Sequence, residues 1–468
     1  MNGRYLNSRS VKERIYIEGT LVLTSPAHFG GEGESCSDMP LLRDALTRKP
    51  LLTGASIAGA LRSYAREFIK GYGVDEDPSN PGEVEELFGY ISRGDASPAS
   101  HLSRLIVDDA VSLDQPTSEL RDGVAIDPRT RTAMDGKKFD MELIPAGTRF
   151  PISMELLLPE EGGPRLLGLL VQALQGLQRG EIHLGMRKRR GFGRCTVESW
   201  KVWRYRMDNR EDVIAWIQHG KTRRAPQGLD SLLEQTLPSF VDARRQMKLV
   251  ASFAIDGSIL IRSAGDSANA PDAVHLRDAN GKTVIPGTSW AGALRSRAFR
   301  IMNTLAPASA ETFTSKIFGP RLGDDASITP SGGRLWVEES EIVNAVSRVQ
   351  SRVMLDRFTG GAYPQHLFSE QPVWGGEVKL ELVLLNPRPA EVGLLLLLLK
   401  DLWTGDLPLG GESGIGRGRL KGQWASLDYD GRHWRIEQLA DRLEISGDRA
   451  ELEKMVQEIP GAAEVQHG

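Results

Sequence analysis

The sequence predicts an α+β fold built twice along one chain of 468 residues. Three observations predict it: an ordered set of motifs that recurs once, strand and helix periodicities that alternate within each copy, and a glycine-rich loop closing each copy. The recurrence is the strongest of the three. "GTLVLTS" (19–25) returns as "GSILIRS" (257–263), "SDMPLLRD" (37–44) as "PDAVHLRD" (271–278), and "TGASIAGALRSYA" (53–65) as "PGTSWAGALRSRA" (286–298). "ELFG" then pairs with "KIFG", "RLIVDDA" with "RLWVEES", "VAID" with "VMLD", and "LGMRKRRGFGR" with "LGGESGIGRGR". The offset falls steadily from 238 (257 minus 19) through 234 (272 minus 38), 233 (287 minus 54), 230 (318 minus 88) and 229 (356 minus 127) to 225 (418 minus 193). Small loop deletions in a duplicated domain produce that trend; chance glycine matches would not stay in order.

The elements of one copy follow in turn. "RIYIEGTLVLTS" alternates as a strand, and "TGASIAGALRSYAREFIK" is helical, with Ser56 as the expected cap and Ala58, Leu61, Ala65 and Phe68 at helical spacing. A strand at 103–111, an extended excursion at about 121–157, a second helix at about 164–179 and a closing strand at 192–203 complete the copy. That order is the one expected of ferredoxin-like, RRM-like domains carrying a large insertion. Copy one takes residues 1–220, a linker 221–246, copy two 247–432, and a polar, helical appendage 433–468. The run "LLLLLL" (394–399) falls on the second helix of copy two and is far short of the roughly 20 residues of a membrane span.

Composition narrows the class. Hydrophobic residues make 40% and charged residues 26%, as in a globular domain protein, and the net charge of −4 means that any polyanion site must be a local basic surface. Two distant cysteines, Cys36 and Cys195, exclude a disulfide framework and a thiolate zinc site. The N-terminal segment lacks an apolar h-region, so a cytoplasmic location is expected.

Three constellations carry candidate chemistry. In the first glycine loop, Gly185, Gly191 and Gly193 permit a tight backbone, and Arg187, Lys188, Arg189, Arg190 and Arg194 supply charge for phosphates. The second loop keeps the glycines with Arg417 and Arg419 but loses most of the charge. The helix starts at Ser56 and Ser289, with Arg62 and Arg295 six residues on, offer amides and guanidiniums to a phosphate. Asp38 and Asp272 lie in Gly-, Ser- and Ala-rich loops, where an aspartate could hold Mg²⁺ or another divalent cation, or orient a ribose hydroxyl.

Together, "HFGG", "SDMPLLRD", "TGASIAGALRS", "LFG" and the terminal "GxxxxxGxGR" loop, present twice, resemble the RAMP superfamily. Specifically, they resemble the repeating backbone subunit of type III CRISPR effector complexes, here as a tandem fusion of the type III-D-like kind. The resemblance implies an RRM-like core with an inserted thumb β-hairpin, "VAIDPRTRTAMDGKKFDMEL" and "VMLDRFTGGAYPQHLFSEQPVW". It also implies binding of a CRISPR guide RNA, association with other type III subunits, no membrane partner, and a complementary target RNA with about every sixth nucleotide flipped out. Asp38 and Asp272 take the position of the family's cleavage aspartate, as metal ligand or as base, and His28 that of its loop histidine, which copy two lacks. The implied reaction is attack of a 2′-hydroxyl on the adjacent phosphate at two sites. A scaffold without chemistry in one or both halves, and a guide-processing endoribonuclease, are the alternatives.

Overall fold

In the computed structural model, placement is described for residues 11–31, 37–74, 82–91, 100–127, 130, 132–219, 225–233, 240–265, 269–321, 329, 331–440 and 442–464. Two compact units result. The first comprises Met1–Leu120, Asp140–Lys188 and Phe192–Arg244; the second comprises Arg121–Phe139, Arg189–Gly191 and Arg245–Gly468. Both are mixed α and β.

The first unit is built on β1 (Glu13–Leu23), α1 (Gly54–Lys70), β2 (Leu105–Val107), β5 (Arg149–Leu158), α2 (Gly163–Gln178) and β6 (Cys195–Arg206). Between β2 and β5 the chain makes a hairpin of β3 (Glu119–Ile126) and β4 (Ala133–Leu143). The strands run antiparallel in the order β2-β5-β1-β6. Period-two burial explains the pairing: Ile15, Ile17, Leu21 and Leu23 of β1 point inward together. Helix α1 covers that face with Ile57, Leu61, Tyr64, Ala65 and Phe68, and α2 with an almost continuous leucine surface. The two helices approach closely at Gly176, where a Cβ would stand 2.3 Å from the Tyr64 ring. Each fully buried Leu or Ile contributes about 1.5–3 kcal/mol, so this shared core sets the register of the whole sheet.

The second unit repeats the plan with β7 (Gln246–Asp256), α3 (Gly287–Leu305), β8 (Leu335–Val337), the hairpin β9 (Gln350–Leu355) and β10 (Ala362–Gln371), β11 (Glu377–Leu385), α4 (Pro389–Trp403) and β12 (Arg419–Tyr429). Strand β11 pairs with β8 and β7, and β7 pairs with β12, so the neighbours correspond one for one with those of the first unit. Trp290 at the start of α3 is fully buried and donates from Nε1 to the Ser340 hydroxyl at 3.0 Å. The leucine run lies on α4, where Leu394, Leu395, Leu398 and Leu399 are buried; among the described residues no helix is long and apolar enough to cross a membrane.

Residues 433–468 differ from the expected helical appendage. Strands β13 (Arg432–Leu439) and β14 (Arg442–Ser446) extend the sheet past β12, and α5 (Arg449–Glu464) packs on α4. The reason is apolar burial: Trp434 and Ile436 enter the second core, and α5 adds Leu452, Met455 and Ile459 against the leucine helix. Gly393 makes the fit possible, since a Cβ there would stand 2.2 Å from the Met455 carbonyl oxygen. Residues 221–224 and 234–239 of the expected linker, with 220 before it, and 465–468 lie outside the described residues, as does Cys36; Cys195 is a buried free thiol.

Candidate nucleic-acid interface

The glycine loops have one backbone and two chemistries. Positive φ occurs at Gly185, Arg187, Gly191 and Gly193 in the first loop and at Gly410, Glu412, Gly416 and Gly418 in the second, each pair 225 apart (410 minus 185). A short 3-10 turn occupies Lys188–Arg190 and, at the same offset, Ser413–Ile415. The last glycine of each set cannot be replaced without collision: a Cβ on Gly193 would stand 1.8 Å from the Leu184 carbonyl oxygen, and on Gly418 1.9 Å from that of Leu409. Several loop amides are spent inside the protein. Gly193 donates to Pro26 (2.8 Å) and Met186 to His28 (3.0 Å), as Gly418 does to Ser258 (2.7 Å) and Gly411 to Leu260 (2.9 Å). Those amides bind the loop to the first strand's exit rather than facing a ligand.

The basic side chains expected on phosphates divide into several environments. Arg187, Lys188, Arg189 and Arg190 are half-buried, and burial lowers the Arg187 pKa from its ordinary value. Arg190, counted with the second unit, donates from Nη2 to the Phe318 carbonyl at 3.2 Å. Arg194 is half-buried, with its backbone N–H on the Ser25 hydroxyl (3.0 Å), while Arg419 is exposed on β12. Two residues differ from expectation outright. Arg417 is 3% exposed and lies between the carboxylates of Glu370 and Glu412, so its side chain is a core ion-pair member. His28 is 1% exposed, its Nδ1 2.8 Å from the Glu142 carbonyl oxygen, and is a structural pin beneath the loop.

The helix starts also differ in detail. Thr53, not Ser56, is the N-cap of α1, and its hydroxyl accepts from the Ser56 N–H at 3.2 Å; Pro286 stands at the matching place before α3, with Ser289 three residues on. The first α1 amide, of Gly54, is taken by the Asp109 carboxylate at 2.7 Å, so an acidic side chain already sits on the positive end of the helix dipole. Arg62 donates to the Gly89 carbonyl at 3.0 Å, beyond the short helix Glu83–Phe88. Arg295, 3.9 Å from Glu311, has its pKa lowered by burial. Both arginines are tied to neighbouring helices of their own copy.

The aspartates behave as a matched pair. Asp38 and Asp272 are exposed, and in each the Oδ2 accepts a backbone N–H from the second hairpin strand: Asp140 to Asp38 at 3.0 Å, Ser369 to Asp272 at 2.7 Å. A parallel bridge follows directly in both copies, Met39 with Met141 and Ala273 with Glu370. The hairpin therefore fixes the carboxylate while leaving it at the surface. Among the described residues no cluster of three His, Cys, Asp or Glu could hold a metal alone. Each site offers a single carboxylate, which does not make an all-protein cage.

The profile of the RAMP superfamily matches residues 20–196 and 254–421, which together span most of the chain and fall one on each copy. The chain belongs to the RAMP superfamily. It is similar to the CRISPR system Cms endoribonuclease Csm3 of Methanocaldococcus jannaschii, 26% identical over 214 residues, covering 42% of this chain and 84% of that protein. The Methanothermobacter thermautotrophicus protein of the same name is 25% identical over 216 residues, covering 41% and 86%. That of Enterococcus italicus is 32% identical over 102 residues, covering 21% and 46%. The first two relatives are thus about half as long as this RAMP chain, the length of one copy.

Sequence reasoning missed Glu370, Glu412 and Arg262 around Arg417. The signal was a paired exchange between the two halves, Met141 to Glu370 and Phe192 to Arg417, an acid and a base appearing together where the first copy has two apolar residues.

Proposed function

We propose that this tandem RAMP chain is a backbone subunit of a type III CRISPR ribonucleoprotein. In this reading it holds guide RNA through two ferredoxin-like domains and cuts complementary target RNA at two sites about six nucleotides apart. The observation that carries the reading is the matched aspartate pair, exposed, equivalent in the two copies, and held by the same hairpin amide. The endoribonuclease name of the relatives is its second support.

The chemistry follows from positioning. A flipped nucleotide allows its 2′-oxygen to line up behind its own phosphate, opposite the 5′-oxygen; the new bond to phosphorus forms as the bond to the 5′-oxygen breaks, leaving a 2′,3′-cyclic phosphate and a protonated 5′-hydroxyl, and holding that geometry lowers the barrier by several kcal/mol. Asp38 and Asp272 serve the attacking hydroxyl, as base or through Mg²⁺ or another divalent cation. When bound, such a cation supplies charge neutralisation at the phosphate. The hairpins present exposed apolar side chains, Val124, Ile126 and Met134 in one and Leu355, Phe358 and Leu367 in the other, suited to wedging between bases. Gripping without base readout requires shape and cations, and pairing to the guide supplies the sequence information.

The test is cleavage of labelled target RNA by the assembled complex with Mg²⁺. Asp38→Ala removes one cut and Asp272→Ala another, with assembly unchanged. If both cuts persist in the double variant, the aspartates are not the cleavage residues; if the unmodified complex leaves the target whole, the chain is a scaffold.

A further inference from the structure

The hairpin, the aspartate segment and the glycine loop meet in each copy, and the meeting point is built from opposite materials. In the first copy, Met141, Leu143 and Phe192 form a small apolar cluster of their own, with Met39 packed against it. In the second copy, Glu370 stands at the place of Met141 (370 minus 141 is 229, the hairpin offset) and Arg417 at that of Phe192 (417 minus 192 is 225, the loop offset). The correspondence is spatial as well, since Met141 bridges Met39 in parallel as Glu370 bridges Ala273.

The replacement is an ionic network. Arg417 Nη1 lies 3.1 Å from Glu370 Oε2 and 2.8 Å from Glu412 Oε2, and its Nη2 donates to Gln350 Oε1 at 2.8 Å. Arg262 Nη2 lies 3.1 Å from an oxygen of each glutamate, and Arg352 Nη1 3.4 Å from Glu412 Oε2. Glu370 is 2% exposed, and Ser369 beside it is the residue whose amide holds Asp272. Three guanidiniums and two carboxylates therefore join both hairpin strands, the strand end at Arg262 and the glycine loop, one residue from the Ser369 amide that holds Asp272.

We propose that Glu370 and Arg417, with Glu412, Arg262 and Arg352, are positioning residues for Asp272, doing by charge pairing what Met141 and Phe192 do for Asp38 by apolar contact. This rests on the reading of Asp272 as a cleavage residue. Removing one member of a buried ion pair leaves an uncompensated charge, whereas replacing both with apolar groups of similar volume is close to neutral. The first copy supplies the apolar pair already adapted to this backbone.

The experiment measures the two cuts separately in the assembled complex, so that the Asp38 cut is an internal control. Glu370→Met, which raises the network's net charge by one, is expected to slow the Asp272 cut by about 10- to 100-fold while sparing the Asp38 cut. Adding Arg417→Phe restores the original net charge and is expected to bring the Asp272 cut back to within about threefold of the parent. The proposal is overturned if Glu370→Met leaves the ratio of the two cuts unchanged, whether both stay or both fall, or if the double variant assembles and keeps the Asp38 cut but does not recover the other. Asp272→Ala run alongside separates the two claims: a surviving cut there refutes the cleavage reading itself.

Discussion

Acid should weaken this protein through a histidine buried beside the Asp272 strand. His275 belongs to the short strand Ala273–His275 and is 2% exposed; its Nδ1 accepts the Ile261 N–H at 3.2 Å, and its Nε2–H donates to the Val284 carbonyl at 3.1 Å. Burial is the main cause that lowers its pKa from 6.5 to about 4, Arg277 adding to it and the Val284 and Ile259 carbonyls opposing it. The unfolded chain therefore takes up a proton below about pH 6.5 and the folded chain does not until about pH 4, so the stabilisation is complete above that window and lost as pH falls through it. At about 1.4 kcal/mol per pH unit the loss amounts to about 3 kcal/mol. Urea denaturation of the isolated chain at pH 7.5, 6.5, 5.5 and 4.5 measures it, comparing the parent with His275→Gln. The variant's stability should depend on pH less steeply by about 1.4 kcal/mol per unit inside the window. Parallel curves would refute the argument, because the carboxylates common to both proteins cannot supply the difference.

Two further outcomes follow from close backbone approaches. Gly418→Ala combines a positive φ of 80° with a Cβ 1.9 Å from the Leu409 carbonyl, and is expected to cost about 3 kcal/mol, read as a lower denaturation midpoint. Gly393→Val should prise α5 from α4, given the 2.2 Å approach to Met455, and limited proteolysis should then release a C-terminal fragment that the parent protects.

Much of the fold could be read from the sequence because duplication writes it twice. Two periodicities and six shrinking offsets place the strands and helices of both copies, and the glycine loops kept their four positive-φ positions although Arg187 in one is Glu412 in the other. The aspartate pair was readable for the same reason. Other details depend on partners distant in sequence. Arg417 looked like a phosphate contact because its neighbours are glycines, while the group that neutralises it, Glu370, lies 47 residues away on a hairpin strand (417 minus 370). His28 was expected at the RNA because it matches the family's loop histidine, and it is buried, with the carbonyl of residue 142 on its ring. Ser56 lost the cap to Thr53 by one helical turn, a boundary that local pattern fixes poorly. Strand β13 was the avoidable miss, since "RHWRIEQL" alternates with Trp434 and Ile436 inward.

The unlike fasteners of the two halves have a genetic consequence. When one gene encodes a subunit used many times, every mutation strikes all copies in the particle at once, and only changes tolerable everywhere survive. Duplication within one gene lifts that constraint, because each half is encoded separately and can be altered alone. Met141 with Phe192 and Glu370 with Arg417 are two solutions to one mechanical problem, free to drift apart once they no longer share a codon.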